Sequence, residues 1–214
     1  MKNYWVAITL FCLLSCSSFA QAVNQTRVLM IVDQGYRPEE YFQPRKLFEK
    51  AGFSVEVAAL VAGVVLPSRS HINEVPPIPV DVTTDRVLVQ NYDAIVFVGG
   101  NGAWNEFLPN TAIHRILIES IHANKVTALI CAATGLLATA NNFSGETPQF
   151  QGRHVTGYFE VEGILRKLGK LNYDGGTPGK PFVVTDGILI TGRDPSSAQI
   201  FGETVINQIK SFKK

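Results

Sequence analysis

The chain has 214 residues, of which 46% are hydrophobic and 17% charged. This balance excludes a disordered tail, a collagen-like rod and a small disulfide scaffold. Nineteen basic residues stand against eighteen acidic ones, which argues against nucleic acid as a partner, because a phosphate backbone is met by a basic face.

Residues 1–22 open with Lys2, run apolar from Trp5 to Leu14 and end in Ser15, Ser17, Ser18, Ala20 and Ala22. This is the layout of a secretory signal peptide. Its apolar core is too short for a permanent membrane span, which needs ~20 residues, and no later run is long enough either. The expected product is a single domain over 23–214 that is periplasmic or secreted and has no membrane span. Leu13-Leu14-Ser15-Cys16 offers an alternative, a lipobox that would anchor the same domain through lipid on Cys16. Cys12 and Cys16 both fall in the leader, so Cys131 is the one thiol left in the mature domain and has no disulfide partner. In an oxidising compartment such a thiol is either buried and inert or put to use.

Along the mature chain, apolar runs of strand length alternate with helix-like segments. Val28 to Val32 is a continuous apolar run, followed by a turn at Gly35 and an amphipathic stretch to Lys50 that stops at Ala51-Gly52. Phe53 to Ala58 reads as a second strand. The Pro-rich segment from Leu66 to Pro79 reads as irregular surface or an edge excursion. Ala94 to Val98 is a third strand, ending in Gly99-Gly100. Asn110 then caps a helix with Ile113, Ile116, Leu117 and Ile121 on one face. Val126 to Ile130 is the next strand, and Val183 to Ile190 a hairpin with an Asp186-Gly187 turn. From about Ser197 a closing helix places Ala198, Phe201, Val205, Ile209 and Phe212 on one side. Uninterrupted apolar strands are covered on both faces. The expected architecture is an α/β three-layer sandwich, with helices on both faces of a mostly parallel sheet.

Cys131 ends the Val126 to Ile130 strand and is followed by the small residues Ala132-Ala133-Thr134-Gly135. Such a sequence permits a sharp strand-to-helix turn that lifts the side chain above the sheet. N–H groups at the start of the next helix would then favour thiolate over thiol. The alternative is a small buried hydrophobe ending a strand. Glu40, following the first strand, reaches the same rim of a parallel sheet. A carboxylate beside a thiolate raises both pKa values, so a useful Glu40 would be protonated and donate a hydrogen bond. From spacing alone, Glu39-Glu40 also reads as first-turn dipole compensation. Gly99-Gly100-Asn101-Gly102 could aim backbone donors at an oxyanion beside Cys131. It lacks the third Gly and the Lys of a phosphate loop. His71, His114 and His122 show no metal-ligand spacing, so no metal and no cofactor are expected.

Four collinear blocks resemble the ThiJ/PfpI superfamily, also called the DJ-one superfamily: Gly35-x-x-x-Glu39-Glu40 with Pro44 and Ala51-Gly52; Tyr92 to Gly100; Ala128 to Ala132 with Leu136-Leu137; and Ile190 to Pro195. The resemblance implies a glutamine-amidotransferase-like, flavodoxin-type fold, usually a homodimer. It also implies a nucleophile-elbow cysteine at Cys131, a partner carboxyl at Glu40, and backbone donors at Gly99, Gly100 and Ala132. Members similar in these blocks are glyoxalases or deglycases acting on reactive carbonyls, redox sensors whose Cys becomes a sulfinate, chaperones, or cysteine peptidases. The peptidase branch has His after the Cys, where this chain has Ala132. The Gly-Pro usual after the Cys is replaced by Ala133-Thr134. Some carbonyl-handling members carry a His near the position of Tyr158, leaving Tyr158 or the nearby His154 as a possible third member. The resulting expectation is a thiol-dependent protein acting on small-molecule carbonyls or protein carbonyl adducts, of the glyoxalase III or deglycase kind. The alternatives are a redox-responsive, stress-protective protein and, less in keeping with Ala132, a peptidase or amidase.

Overall fold

A computed structural model describes residues 25–140 and 150–213. The signal peptide expected at 1–22, with its alternative of lipid on Cys16, lies outside the described residues.

The described part opens with β1 (Arg27–Ile31), α1 (Pro38–Lys50) and β2 (Ser54–Ala59). Then come three two-residue strands, β3 (Val64–Val65), β4 (Ile78–Pro79) and β5 (Val82–Thr83). They are followed by β6 (Ala94–Phe97), α2 (Thr111–His122), β7 (Val126–Ile130) and α3 (Leu136–Thr139). The last part holds β8 (His154–Val155), α4 (Glu162–Lys167), β9 (Asn172–Tyr173), β10 (Val183–Asp186), β11 (Leu189–Gly192) and α5 (Ala198–Phe212).

Seven strands form one sheet in the order β10-β11-β7-β6-β1-β2-β5. All pairings are parallel except β10 with β11. Every residue of β6 and β7 is buried, as strands roofed on both faces require, and the one polar side chain among them, Thr127, donates to Ser120 Oγ at 2.9 Å. Helices α1 and α5 pack together over one face, and α2 lies over β6 and β7 on the other. The α1–α5 approach is close at Gly202, where a Cβ would stand 2.9 Å from Leu47 Cδ1 and 3.0 Å from the Pro44 Cα. This is the mostly parallel, three-layer flavodoxin-like arrangement.

Local chemistry accounts for the element ends. Asn110 Oδ1 accepts from the N–H groups of Ala112 at 2.9 Å and Ile113 at 3.3 Å, capping α2. Ile113, Ile116 and Leu117 are buried beneath it. In the hairpin Asp186 pairs with Leu189, so the tight loop is Gly187-Ile188, one residue later than expected, with Gly187 at φ 60°. The Pro-rich segment is more ordered than expected: β4 at its end pairs antiparallel with β3. Phe212, expected on the apolar side of α5, is 50% exposed at the last turn. No described helix is long and apolar enough to cross a membrane.

Candidate active site

Strands β1, β6 and β7 run side by side in register, Ile31 beside Phe97 and Phe97 beside Leu129. Their C-terminal ends therefore release three loops onto one rim. Cys131 follows β7 at φ 60°, a left-handed conformation costing a non-glycine residue about 1–3 kcal/mol. A single tight turn, Cys131–Gly135, leads from it into α3. The residue is held from two sides: Thr134 Oγ1 donates to the Cys131 carbonyl at 2.7 Å, and the Tyr158 N–H donates to the same oxygen at 3.3 Å. Ala133-Thr134 thus supports the sharp bend with a hydroxyl bond in place of the Gly-Pro pair.

Glu40 lies in the first turn of α1 and is fully buried. Among the described residues neither of its oxygens meets an N–H or O–H donor, and the group its side chain faces is the Cys131 thiol. Gly99 makes this approach possible. A Cβ there would lie 2.5 Å from Glu40 Oε2, 2.6 Å from the Ile130 carbonyl oxygen and 2.7 Å from Cys131 Cβ. Gly99→Ala is accordingly expected to cost about 2 kcal/mol or more, as overpacking of a filled interior does, and to change the rate of Cys131 alkylation. Denaturant unfolding beside a thiol-alkylation time course measures both, and wild-type values for both would refute the packing account.

Burial sets the electrostatics. It pushes Glu40 up to about 8, against smaller opposing pulls from the thiol and Arg37. Burial likewise pushes the Cys131 thiol well up, the negative charge of Glu40 adds to this, and the Ala132 N–H pulls it back only in part. This corrects the expectation that helix-end N–H groups would lower the thiol pKa. The sulfur is too deeply placed, the residue being 7% exposed, and α3 is too short to offset the lost hydration. Through neutral pH the pair holds at most one negative charge. Any thiolate is stabilised by a proton that Glu40 retains.

A cavity of about 260 Å³ opens onto Cys131, lined also by Gly100 and Ala132 and by Arg37, Asn101, Trp104, Tyr158, Glu160 and Pro195. Larger hollows exist, such as one of about 380 Å³ between α1 and residues 76–79, but no described cysteine lines them. Gly100 has φ 143° and lies against the first loop, where a Cβ would meet Tyr36 Cα at 2.7 Å and the Arg37 nitrogen at 2.9 Å. This interlock holds the Arg37 backbone at the cavity that Cys131 also lines. The Tyr158 phenol is raised by its partial burial and then by Glu160 and Cys131, so it holds its proton at neutral pH.

His154, the other expected third member, does not line this cavity. It sits exposed on β8, its N–H donating to Asp186 Oδ2 at 2.8 Å, while Val155 turns inward. Strand alternation explains the separation from Tyr158. Among the described residues no three His, Cys, Asp or Glu side chains gather as a metal group would require.

Sequence reasoning missed Arg37, Trp104, Glu160 and Asp33. Arg37 stood inside the Gly35–Glu40 block and was the findable one. Asp33, just beyond β1, is fully buried, and among the described residues neither of its carboxyl oxygens has a side-chain hydrogen-bond partner. Burial and then Glu106 hold its carboxyl well above the usual range.

Comparison with known proteins agrees with this fold. The profile of the DJ-1/PfpI family matches residues 26–208. An uncharacterized protein of Methanocaldococcus jannaschii is 29% identical over 206 residues, covering 95% of this chain and 92% of its own length. Protein dj-1beta of Drosophila melanogaster is 24% identical over 190 residues, covering 87% and 90%. Among solved structures, a ThiJ/PfpI domain protein from Brachyspira murdochii superposes with a TM-score of 0.75 at 23% identity, over 87% of this chain and 98% of that one. With a family match spanning most of its length, this chain belongs to the DJ-1/PfpI family.

Proposed function

We propose that this protein is a thiol-dependent, stress-protective enzyme acting on reactive carbonyls, 2-oxoaldehydes or their protein adducts, through Cys131. The observation that carries the reading is the pairing of a strained, cavity-facing thiol with a fully buried carboxyl that keeps its proton up to about pH 8. Cys131 Sγ adds to the aldehyde carbon, and the thiol proton, relayed by Glu40, passes to the carbonyl oxygen to give a hemithioacetal. N–H groups of Gly100 and Ala132 and the Tyr158 hydroxyl hold the developing oxyanion. A proton then moves from the former aldehyde carbon to its neighbour. The first carbon is thereby oxidised to a thioester and the second reduced to an alcohol, with no outside oxidant. Water cleaves the thioester, releasing a 2-hydroxy acid and restoring the thiol.

The test is lactate formation from methylglyoxal by the purified protein, expected to be linear in enzyme concentration; no lactate above the uncatalysed rate would end the proposal. Export by cleavage of residues 1–22 and pairing of two copies belong to the same reading, and intact mass and light scattering on the mature protein examine them.

A second reading has its own support. Cys131 is a free cysteine facing an acid that can donate to an oxidised sulfur. Peroxide would then take the thiolate through sulfenate to sulfinate, as fits a redox-responsive protein. A stable two-oxygen mass increase on Cys131 without carbonyl turnover favours this reading over the first. Peptidase chemistry has less support, because no described histidine lines the cavity.

A further inference from the structure

The mechanism above uses the floor of the Cys131 cavity and leaves its charged wall unexplained. Arg37 forms part of that wall, with its side chain 38% exposed. Its backbone is fixed: the N–H donates to the Gly99 carbonyl at 3.0 Å, Tyr36 before it bridges to Gly100, and Pro38 after it starts α1. The guanidinium makes one ion pair, Nε to Glu39 Oε2 at 3.1 Å, and among the described residues no group accepts a hydrogen bond from it. The planar fork therefore has an unengaged edge beside a nucleophile. The cavity, about 260 Å³, has room for several water-sized groups beyond the reacting carbonyl.

We propose that Arg37 is the anion-binding residue of this site, and that the preferred substrates are carbonyl compounds bearing a carboxylate, such as aldehyde acids and 2-oxo acids. The carboxylate takes the free edge of the guanidinium, a pairing that two parallel N–H donors suit better than a lysine does. Cys131 Sγ then faces the adjoining carbonyl carbon, and the rings of Trp104 and Tyr158 flank the rest of the molecule. Glu39 competes for the guanidinium and moderates the affinity. Glu160, exposed on the same wall without an ion-pair partner among the described residues, disfavours a second negative group, so the class is monoanionic. The inference rests on Cys131 being the reacting group of the proposed function.

Two alkylating probes of nearly equal size and opposite character test it, iodoacetate (anionic) and iodoacetamide (neutral). Each forms an S–C bond at Cys131 with loss of iodide, and the thiol proton passes to buffer. Rates are followed at neutral pH in the full chain, by mass, on the peptide containing Cys131. Arg37→Met is expected to lower the iodoacetate-to-iodoacetamide rate ratio about tenfold, the worth of one charge-assisted contact, with the iodoacetamide rate within about twofold of wild type. Glu39→Gln is expected to raise the ratio by freeing the guanidinium, which keeps the test informative if Arg37→Met folds poorly. An unchanged ratio in both variants overturns the assignment. So does an equal fall in both rates with Arg37→Met, which would mean that Arg37 acts on thiol ionisation and not on the anion. A wild-type Cys131 inert to both probes sinks the proposed function and this inference with it, whereas a reactive Cys131 indifferent to Arg37 sinks only the inference.

Discussion

Replacing Cys131 by Ser is expected to lower kcat/KM for methylglyoxal by a factor on the order of 10³ or more while leaving the fold intact. The serine hydroxyl is far less acidic than the thiol, and a carboxyl such as Glu40, raised only to about 8, cannot take its proton effectively. The backbone demands little of the change. Residue 131 must sit at φ 60° with either side chain, and the Thr134 and Tyr158 bonds reach its carbonyl and not its side chain. Stability should therefore stay within about 1 kcal/mol of wild type, the range of a near-isosteric core change. Activity and denaturant unfolding on the same preparation separate the effects. Turnover surviving Cys131→Ser in a folded protein removes the thiol from the chemistry.

The parts of this protein that were legible in its sequence are those encoded over five or more neighbouring residues. Apolar runs marked β1, β6 and β7, because a strand buried on both faces does not tolerate an unpaired polar position; the one polar residue within β7, Thr127, is paired with Ser120. Asn110 marked the start of α2 because a cap acts on N–H groups two and three residues away. The strands β3, β4, β5, β8 and β9 have two residues each, too few for any period to show. Cys131 and Glu40 were readable as candidates, since a strand end followed by small residues and a carboxyl beyond another strand end both point to one rim. The sign of the thiol shift was not. It depends on how deeply the sulfur is buried, which parts distant in sequence decide, among them Gly99, where a Cβ would stand 2.7 Å from Cys131 Cβ, and the Glu40 carboxyl beside it. His154 failed for a local reason, since nearness to Tyr158 in sequence says nothing about which side of β8 it faces. Trp104 and Glu160 come to the cavity only through the fold, on a wide turn after β6 and a loop after β8.

The second large effect concerns pH. Glu40 in the folded protein titrates near 8 against an ordinary 4.5, so between these values the native state holds a proton that the unfolded chain has released. Stability from this group is fully present below about pH 4.5 and is lost as pH rises through 8. One pKa unit corresponds to 1.36 kcal/mol, so the loss by pH 8 is roughly 4 kcal/mol. Asp33, raised by burial and by Glu106, acts with the same sign and steepens the decline. Glu56 and Asp194, whose carboxyls are lowered, act with the opposite sign but chiefly below their own ordinary values, outside this window, whereas His114, lowered by burial, opposes the decline below about pH 6.5, equally in the wild type and in Glu40→Gln. The expected result is a urea midpoint that falls from pH 5 to pH 8 in the wild type and falls much less in Glu40→Gln, which has no proton to lose. At pH 5 the Glu40→Gln variant gives up some stability, because the new amide has no better partner than the thiol. The two curves should therefore cross, with Glu40→Gln the more stable protein at pH 8. Parallel curves would mean that Glu40 ionises as an ordinary carboxylate. The neutral acid on which the Cys131 chemistry depends would then not exist.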